Sequence, residues 1–221
     1  MKIYGISGLG ADKRVFNFLK LNHTLIPIEW IKPYKREPLQ DYSARLSKII
    51  DPKSDFVLIG VSFGGLVAVE ISKILKPCLT ILISSVETKI ELRPIYSGFG
   101  KLNIIKKIPA KLFDPPRNIA SSLFGTANKE LLNDILEDTD LQFAKWAVNE
   151  LVNWDNQNQV ENLIRIHGTK DKLIPWRGLG KVELIEDGEH FMIVDRAEEI
   201  SKFINEKIKD RSHQLRLNSN S

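Results

Sequence analysis

The chain has 221 residues, 43% hydrophobic and 27% charged, with a formal net charge of +4. That length suits one domain, or one domain carrying an insertion, and the apolar fraction is enough for a sizeable core. No apolar run approaches the length of a membrane span. The stretch from Met1 to Ile6 reads as a strand leading into a glycine turn rather than as a signal peptide, so the expected location is the cytoplasm. The single cysteine, Cys78, excludes an internal disulfide and reads as a small buried thiol. Lysines and arginines are spread among the acids, with no basic run interleaved with aromatics. The charge therefore points to a solvated surface and not to a nucleic-acid partner.

Taken in chain order, the first half alternates between two periods. Lys2 to Ile6 is a short apolar strand ending in Ser7-Gly8-Leu9-Gly10, and Asp12 to Leu19 has helical spacing. Leu25 to Trp30 is a second strand, followed by a loop punctuated by Pro33 and Pro38. Leu39 to Ile50 is an amphipathic helix with Leu39, Tyr42, Leu46 and Ile49 on one side. Phe56 to Val61 is continuously apolar, as expected of a strand buried on both faces. A helix from Phe63 to Leu75, with Leu66, Val69 and Ile74 apolar, and a strand from Leu79 to Ile83 follow. Strands alternating with helices in this way predict right-handed βαβ units and a parallel sheet.

From about Glu87 to Asn158 no strand is predicted. Pro94, Pro109, Pro115 and Pro116 divide the segment, and helices are expected over Lys129 to Leu136 and Asp140 to Trp154, the second capped by Thr139 or Asp140. A segment this long is read as a helical insertion rather than a loop. Alternation resumes with strands at Leu163 to His167 and Val182 to Ile185, and an amphipathic helix from about Ala197 to Ile208. The organisation predicted is a core of residues 1–86 and 159–210, an insertion over 87–158, and a polar disordered tail over 211–221.

The chemistry centres on Gly60-Val61-Ser62-Phe63-Gly64, which matches G-x-S-x-G between a buried strand and a helix. A serine on such a turn is pushed above the sheet, and only residues lacking a large side chain fit two positions to either side. Ser62 also stands at a helix N-terminus, where developing negative charge is favoured. A plain strand-to-helix turn would need the same glycines. A phosphate-binding loop would need the spacing Gly-x-Gly-x-x-Gly, or a Lys-Ser or Lys-Thr pair after the glycines, and this turn has neither.

A serine nucleophile needs a base. Of four histidines, His213 lies in the polar tail, His23 lies in the wrong half of the sheet, and His167 ends a strand where a structural hydrogen bond suffices. His190 sits in the turn Glu186 to Phe191, at the carboxyl edge of the sheet with Ser62. The orienting carboxylate is expected at Asp171, in His167-Gly168-Thr169-Lys170-Asp171, with Glu87 as the competing acid. Backbone N–H groups of Phe63 and of Leu9 are candidates for an oxyanion hole, although the Leu9 loop also reads as a simple glycine turn.

With these pieces in this order, the chain resembles the α/β-hydrolase superfamily over nearly its whole length. The matching stretches are Ser7-Gly8-Leu9-Gly10 with Asp12 to Phe16, Gly60 to Gly65, His167 to Pro175, and Gly188 to Phe191. The resemblance implies Ser62, Asp171 and His190 as a catalytic triad, Leu9 and Phe63 as oxyanion donors, and 87–158 as a helical cap. Two departures stand out. Many members carry His-Gly where this chain has Ser7-Gly8. Many also begin with an antiparallel pair of strands that this chain lacks. The resemblance therefore implies a three-layer sandwich around a reduced, six-stranded, all-parallel sheet of order 2-1-3-4-5-6, with little or no helix between Pro175 and Val182.

The first reading is a hydrolase of small carboxylic esters acting through an acyl-enzyme, with no metal and no organic cofactor. A thioesterase or acyltransferase with the same triad is the second, and a catalytically inactive binding protein the third. Phe99, Phe143 and Trp146 in the insertion are candidates for a substrate pocket, or for residues that pack the cap on the sheet. The partner expected is a small acyl substrate; the oligomeric state and the acyl chain length are left open.

Overall fold

The computed structural model describes residues 1–101, 104–178 and 180–219, and the side chains of all of these except 97, 99–101, 218 and 219. Its frame is a parallel sheet of β1 (Lys2–Ile6), β2 (Leu25–Ile28), β3 (Phe56–Val61), β4 (Leu79–Ile83), β5 (Leu163–Gly168) and β6 (Glu183–Ile185), in the order β2-β1-β3-β4-β5-β6. This is the order that the resemblance implies. Strand residues alternate between two apolar layers because side chains on a strand point to opposite faces. Ile3, Val57, Ile59, Ile81 and Ile166 enter one core, and Tyr4, Ile6, Leu58 and Leu82 enter the other. That is why β3 and β4 are apolar throughout.

Helices close both layers. On one side lie α1 (Leu39–Leu46) and α2 (Phe63–Leu75); on the other, the 3-10 turn Lys13–Phe18 and a long C-terminal helix. The Asp12 to Leu19 segment is thus a 3-10 turn rather than an α-helix, with the Asp12 carboxylate accepting the Arg14 N–H at 2.9 Å. The helix read from Leu39 to Ile50 is α1 plus a short 3-10 turn. The change of pitch carries Ile49 out of the apolar face and leaves it exposed. Ile74 is half exposed near the end of α2. Cys78 is buried as expected, with its thiol donating to the Phe56 carbonyl, and burial raises its pKa.

Between β4 and β5 the chain is helical: α3 (Pro94–Lys101), α4 (Ile104–Lys107), α5 (Arg117–Phe124), α6 (Lys129–Glu137) and α7 (Leu141–Asn153). Several prolines that divide the sequence here open helices: Pro94 is the first residue of α3 and Pro116 caps α5, positions where a missing N–H costs little. Asp140 caps α7, accepting from Gln142 and Phe143 N–H. The two ends of the segment are tied together. The Glu87 carboxylate accepts the Val160 N–H at 2.7 Å, and the Glu87 carbonyl accepts Asn156 Nδ2 at 2.7 Å. A buried Arg165–Glu91 pair links β5 to the same base.

After β6 come α8 (Met192–Asp195) and α9 (Ala197–Ser219). The tail expected to be disordered is therefore helical as far as Ser219. No glycine or proline interrupts it, Leu215 packs against the core, and Arg211 Nε donates to the Cys78 carbonyl at 2.8 Å. Truncation after Asp210 removes these contacts and should lower stability by roughly 2 kcal/mol, about the worth of one charge-assisted hydrogen bond. Thermal denaturation of the truncated and full-length chains checks this, since a disordered tail would leave the midpoint unchanged.

Candidate active site

The site begins with the turn from β3 into α2. Ser62 has φ 51° and ψ −122°, a region that a residue with a Cβ rarely adopts. Three hydrogen bonds hold it: Ser62 N–H to the Ile83 carbonyl at 2.9 Å, Gly65 N–H to the Ser62 carbonyl at 2.9 Å, and Ser85 Oγ to the same carbonyl at 2.7 Å. The flanking glycines are required by space. A Cβ on Gly60 would stand 2.6 Å from Gly65 Cα, and one on Gly64 would overlap the Ser7 and Ile6 carbonyl oxygens.

Two further loops meet Ser62 at the carboxyl edge of the sheet. Gly168, ending β5, and Gly188, after β6, lie back to back, and a Cβ on Gly168 would overlap the Gly188 backbone. This contact lets Lys170 N–H reach the Gly188 carbonyl at 2.9 Å and Thr169 N–H the Ile185 carbonyl at 3.1 Å. The result is that Asp171 and His190, nineteen residues apart, share a hydrogen bond. His190 Nδ1–H donates to Asp171 Oδ2 at 2.8 Å, which leaves Nε2 to accept the Ser62 hydroxyl at 2.9 Å. His190 and Asp171 are buried while Ser62 is partly open.

Burial on its own would raise the Asp171 pKa. The charge of His190, hydrogen bonds from His167 and His190, and the Ile174 N–H outweigh it and hold the carboxyl well below the usual range. Its Oδ1 accepts Leu173 and Ile174 N–H, each at 2.9 Å. His167 has the structural hydrogen bond expected of it, donating from Nε2 to the Ile174 carbonyl, and that nitrogen also lies 3.4 Å from Asp171 Oδ2. Glu87, the competing acid, is committed to Val160 at the base of the helical segment.

The loop after β1 faces Ser62 from the opposite side. Gly8 abuts the serine so closely that a Cβ would stand 3.3 Å from Ser62 Cβ. The loop is fastened by the Ala11 carbonyl, which accepts Ser7 Oγ at 2.8 Å and Trp30 Nε1 at 3.0 Å. Ser7 thus anchors the loop through its hydroxyl. Leu9 lines the cavity beside Ser62, and Phe63, the first residue of α2, has an N–H with no acceptor within the helix.

No protein-family model matches the chain, and none of the curated proteins matches it in sequence. Solved structures do. A thermophilic esterase matches 95% of this chain and 90% of its own, with a TM-score of 0.70 at 16% identity. MenH from S. aureus matches 96% and 94%, with a TM-score of 0.67 at 16% identity. ClbQ from the colibactin NRPS/PKS pathway matches 96% and 98%, with a TM-score of 0.61 at 18% identity. The chain has the α/β-hydrolase fold. Likeness at such identities carries the fold and not the activity.

Within this α/β-hydrolase fold the expected pocket residues fall elsewhere. Phe143 and Trp146 do not line the cavity at Ser62. They join Trp30, Tyr42 and Phe63 in an aromatic cluster, and Trp146 Nε1 donates to the Glu37 carbonyl at 2.8 Å. Both lie on α7, which packs mainly on α3 and α4 and sends these two rings toward Tyr42 and Phe63. The side chain of Phe99 lies outside the described residues. The cavity at Ser62 is instead walled by Val15, Val61, Phe124, Phe191 and Ile193. Phe124 is not singled out by its sequence context, because only the fold brings α5 to the His190 turn. Among the described residues, no cluster of His, Cys, Asp and Glu is arranged to hold a metal ion, and no helix is long and apolar enough to cross a membrane.

The depressed Asp171 pKa has a consequence for stability. A carboxyl whose folded pKa lies below its unfolded value stabilises the protein above the unfolded value, and that contribution is lost as pH falls through the folded one. Asp171→Asn should therefore lower stability at pH 7 but lose less than wild type on acidification below about pH 4, near the ordinary carboxylate value. Urea unfolding of both proteins at pH 7 and pH 3 measures the difference; equal acid losses would contradict the assignment.

Proposed function

We propose that the chain is a serine hydrolase that cleaves carboxylic esters through an acyl-enzyme. The observation that carries this reading is the unbroken hydrogen-bonded sequence from Ser62 Oγ through His190 to Asp171 on a strained turn. A protein that only binds has no use for a serine held at positive φ and aimed at an imidazole, since such strain costs on the order of 1–3 kcal/mol.

In the first half-reaction Ser62 Oγ bonds to the ester carbonyl carbon while His190 Nε2 takes the hydroxyl proton. The carbonyl oxygen becomes an oxyanion, met by the N–H groups of Phe63 and Leu9 at the positive end of α2. When the intermediate collapses, the bond to the alcohol oxygen breaks and His190 returns the proton to that oxygen. In the second half a water bonds to the acyl carbon and gives its proton to His190. The Ser62 ester bond then breaks, and the proton returns to Oγ. Asp171 stays ionised throughout, holding the Nδ1–H tautomer and stabilising the imidazolium.

Hydrolysis of p-nitrophenyl acetate, set beside the matching acyl thioester, tests the reading. Ser62→Ala and His190→Ala should each remove turnover. Asp171→Asn should lower kcat by about 10⁴-fold, because the amide favours the wrong imidazole tautomer. A Ser62→Ala variant as active as wild type on both substrates would overturn the proposal.

A further inference from the structure

The cavity beside Ser62 is small, about 30 Å³. A single water needs roughly 10–15 Å³ of such space, so there is room for about two. Apart from Ser62 and His190, the side chains around it are apolar: Val15 from the 3-10 turn, Val61 from β3, Phe124 from α5, and Phe191 and Ile193 from the His190 turn and α8. A charged or strongly polar group placed there would lose its hydration without gaining a partner.

One wall is contributed by the helical segment and is fastened to the catalytic turn. Phe191 N–H donates to the Phe124 carbonyl at 3.0 Å, and the Phe124 ring meets the His190 ring edge-on with centroids 5.6 Å apart. The next residue, Gly125, has φ 58° and packs so closely on the Glu189 carboxylate that a Cβ would overlap it. Ala127 N–H donates to Asp195 at 3.2 Å, and Lys172 Nζ donates to the Ser122 carbonyl at 3.0 Å. These ties set the position of the Phe124 ring relative to Ser62, so this wall of the cavity is held against the His190 turn and is not part of a free loop.

We propose that this cavity is the acyl pocket, that it accepts a short uncharged acyl group such as acetyl or propionyl, and that Phe124 sets the length limit. The inference rests on the serine-hydrolase reading. Under that reading the alcohol departs after the first half-reaction while the acyl group stays on Ser62, so a cramped apolar recess suits the part that stays. In a packed apolar pocket one methylene changes kcat/KM by roughly 10- to 200-fold, and an acyl chain that overruns Phe124 meets that penalty with its first extra carbons.

The test is kcat/KM for p-nitrophenyl acetate, propionate, butyrate, hexanoate and octanoate, with wild type, Phe124→Ala, Phe124→Leu and Leu112→Ala, the last an exposed residue of the same segment. Wild type should favour acetate or propionate over hexanoate by at least tenfold. Phe124→Ala should shift that ratio toward hexanoate by tenfold or more, Phe124→Leu should shift it less in the same direction, and Leu112→Ala should leave it unchanged. The leucine variant keeps the test decisive if Phe124→Ala does not fold. A flat wild-type profile, or Phe124 variants that slow every ester by the same factor, would overturn the acyl-pocket assignment while leaving the hydrolase reading intact. No turnover of any ester and no reaction of Ser62 with a fluorophosphonate would overturn both.

Discussion

Ser62 sits in a backbone conformation that the residue type resists, and the centre of the molecule is arranged to keep it there. The cost, of the order of 1–3 kcal/mol, is offset locally by the hydrogen bonds to Ile83, Gly65 and Ser85. It is sustained by β3 being buried between β1 and β4, which leaves the chain no room to relax sideways. The absence of side chains at Gly60 and Gly64 follows from the same constraint. Each faces backbone or side-chain atoms closer than any Cβ tolerates. A serine placed on an ordinary loop would have its hydroxyl in solvent; this one has it at 2.9 Å from an imidazole nitrogen.

The remaining groups at the site are positioned by a second close approach, that of Gly168 to Gly188. Two strand ends that lie side by side in the sheet carry their loops into backbone contact, and the carboxylate and imidazole come together as a consequence. Asp171 then collects donors from both sides, two backbone N–H groups on one oxygen and the imidazole of His190 on the other. This explains why a buried carboxyl remains ionised here, although burial by itself works against the charge.

The parallel sheet was legible in the sequence because strands buried on both faces are apolar throughout, and β3 and β4 carry that signal without ambiguity, whereas the strand order followed only from the resemblance to the α/β-hydrolases. The Ser62 turn was legible for a related reason, since close packing leaves glycine as its residue. Features that depend on distance in three dimensions were not. Aromatic content alone left Phe143 and Trp146 open to two roles, a substrate pocket or packing, and in the fold both rings join a cluster with Trp30 and Tyr42. Phe124 lacked any local motif, and the choice between Asp171 and Glu87 needed the fold, which commits Glu87 to the base of the helical segment. The end of the chain has the composition of a disordered tail and yet is a polar helix held by Arg211 and Leu215.

The nucleophilicity proposed for Ser62 is a property of the folded chain and not of the serine by itself. The most direct measurement is covalent labelling by a fluorophosphonate, located by peptide mapping, in native protein, in protein unfolded in urea, and in His190→Ala. The account predicts one adduct per chain on Ser62 in the native protein and essentially none in the other two. Equal labelling in folded and unfolded protein, or an adduct on a different residue, would contradict it.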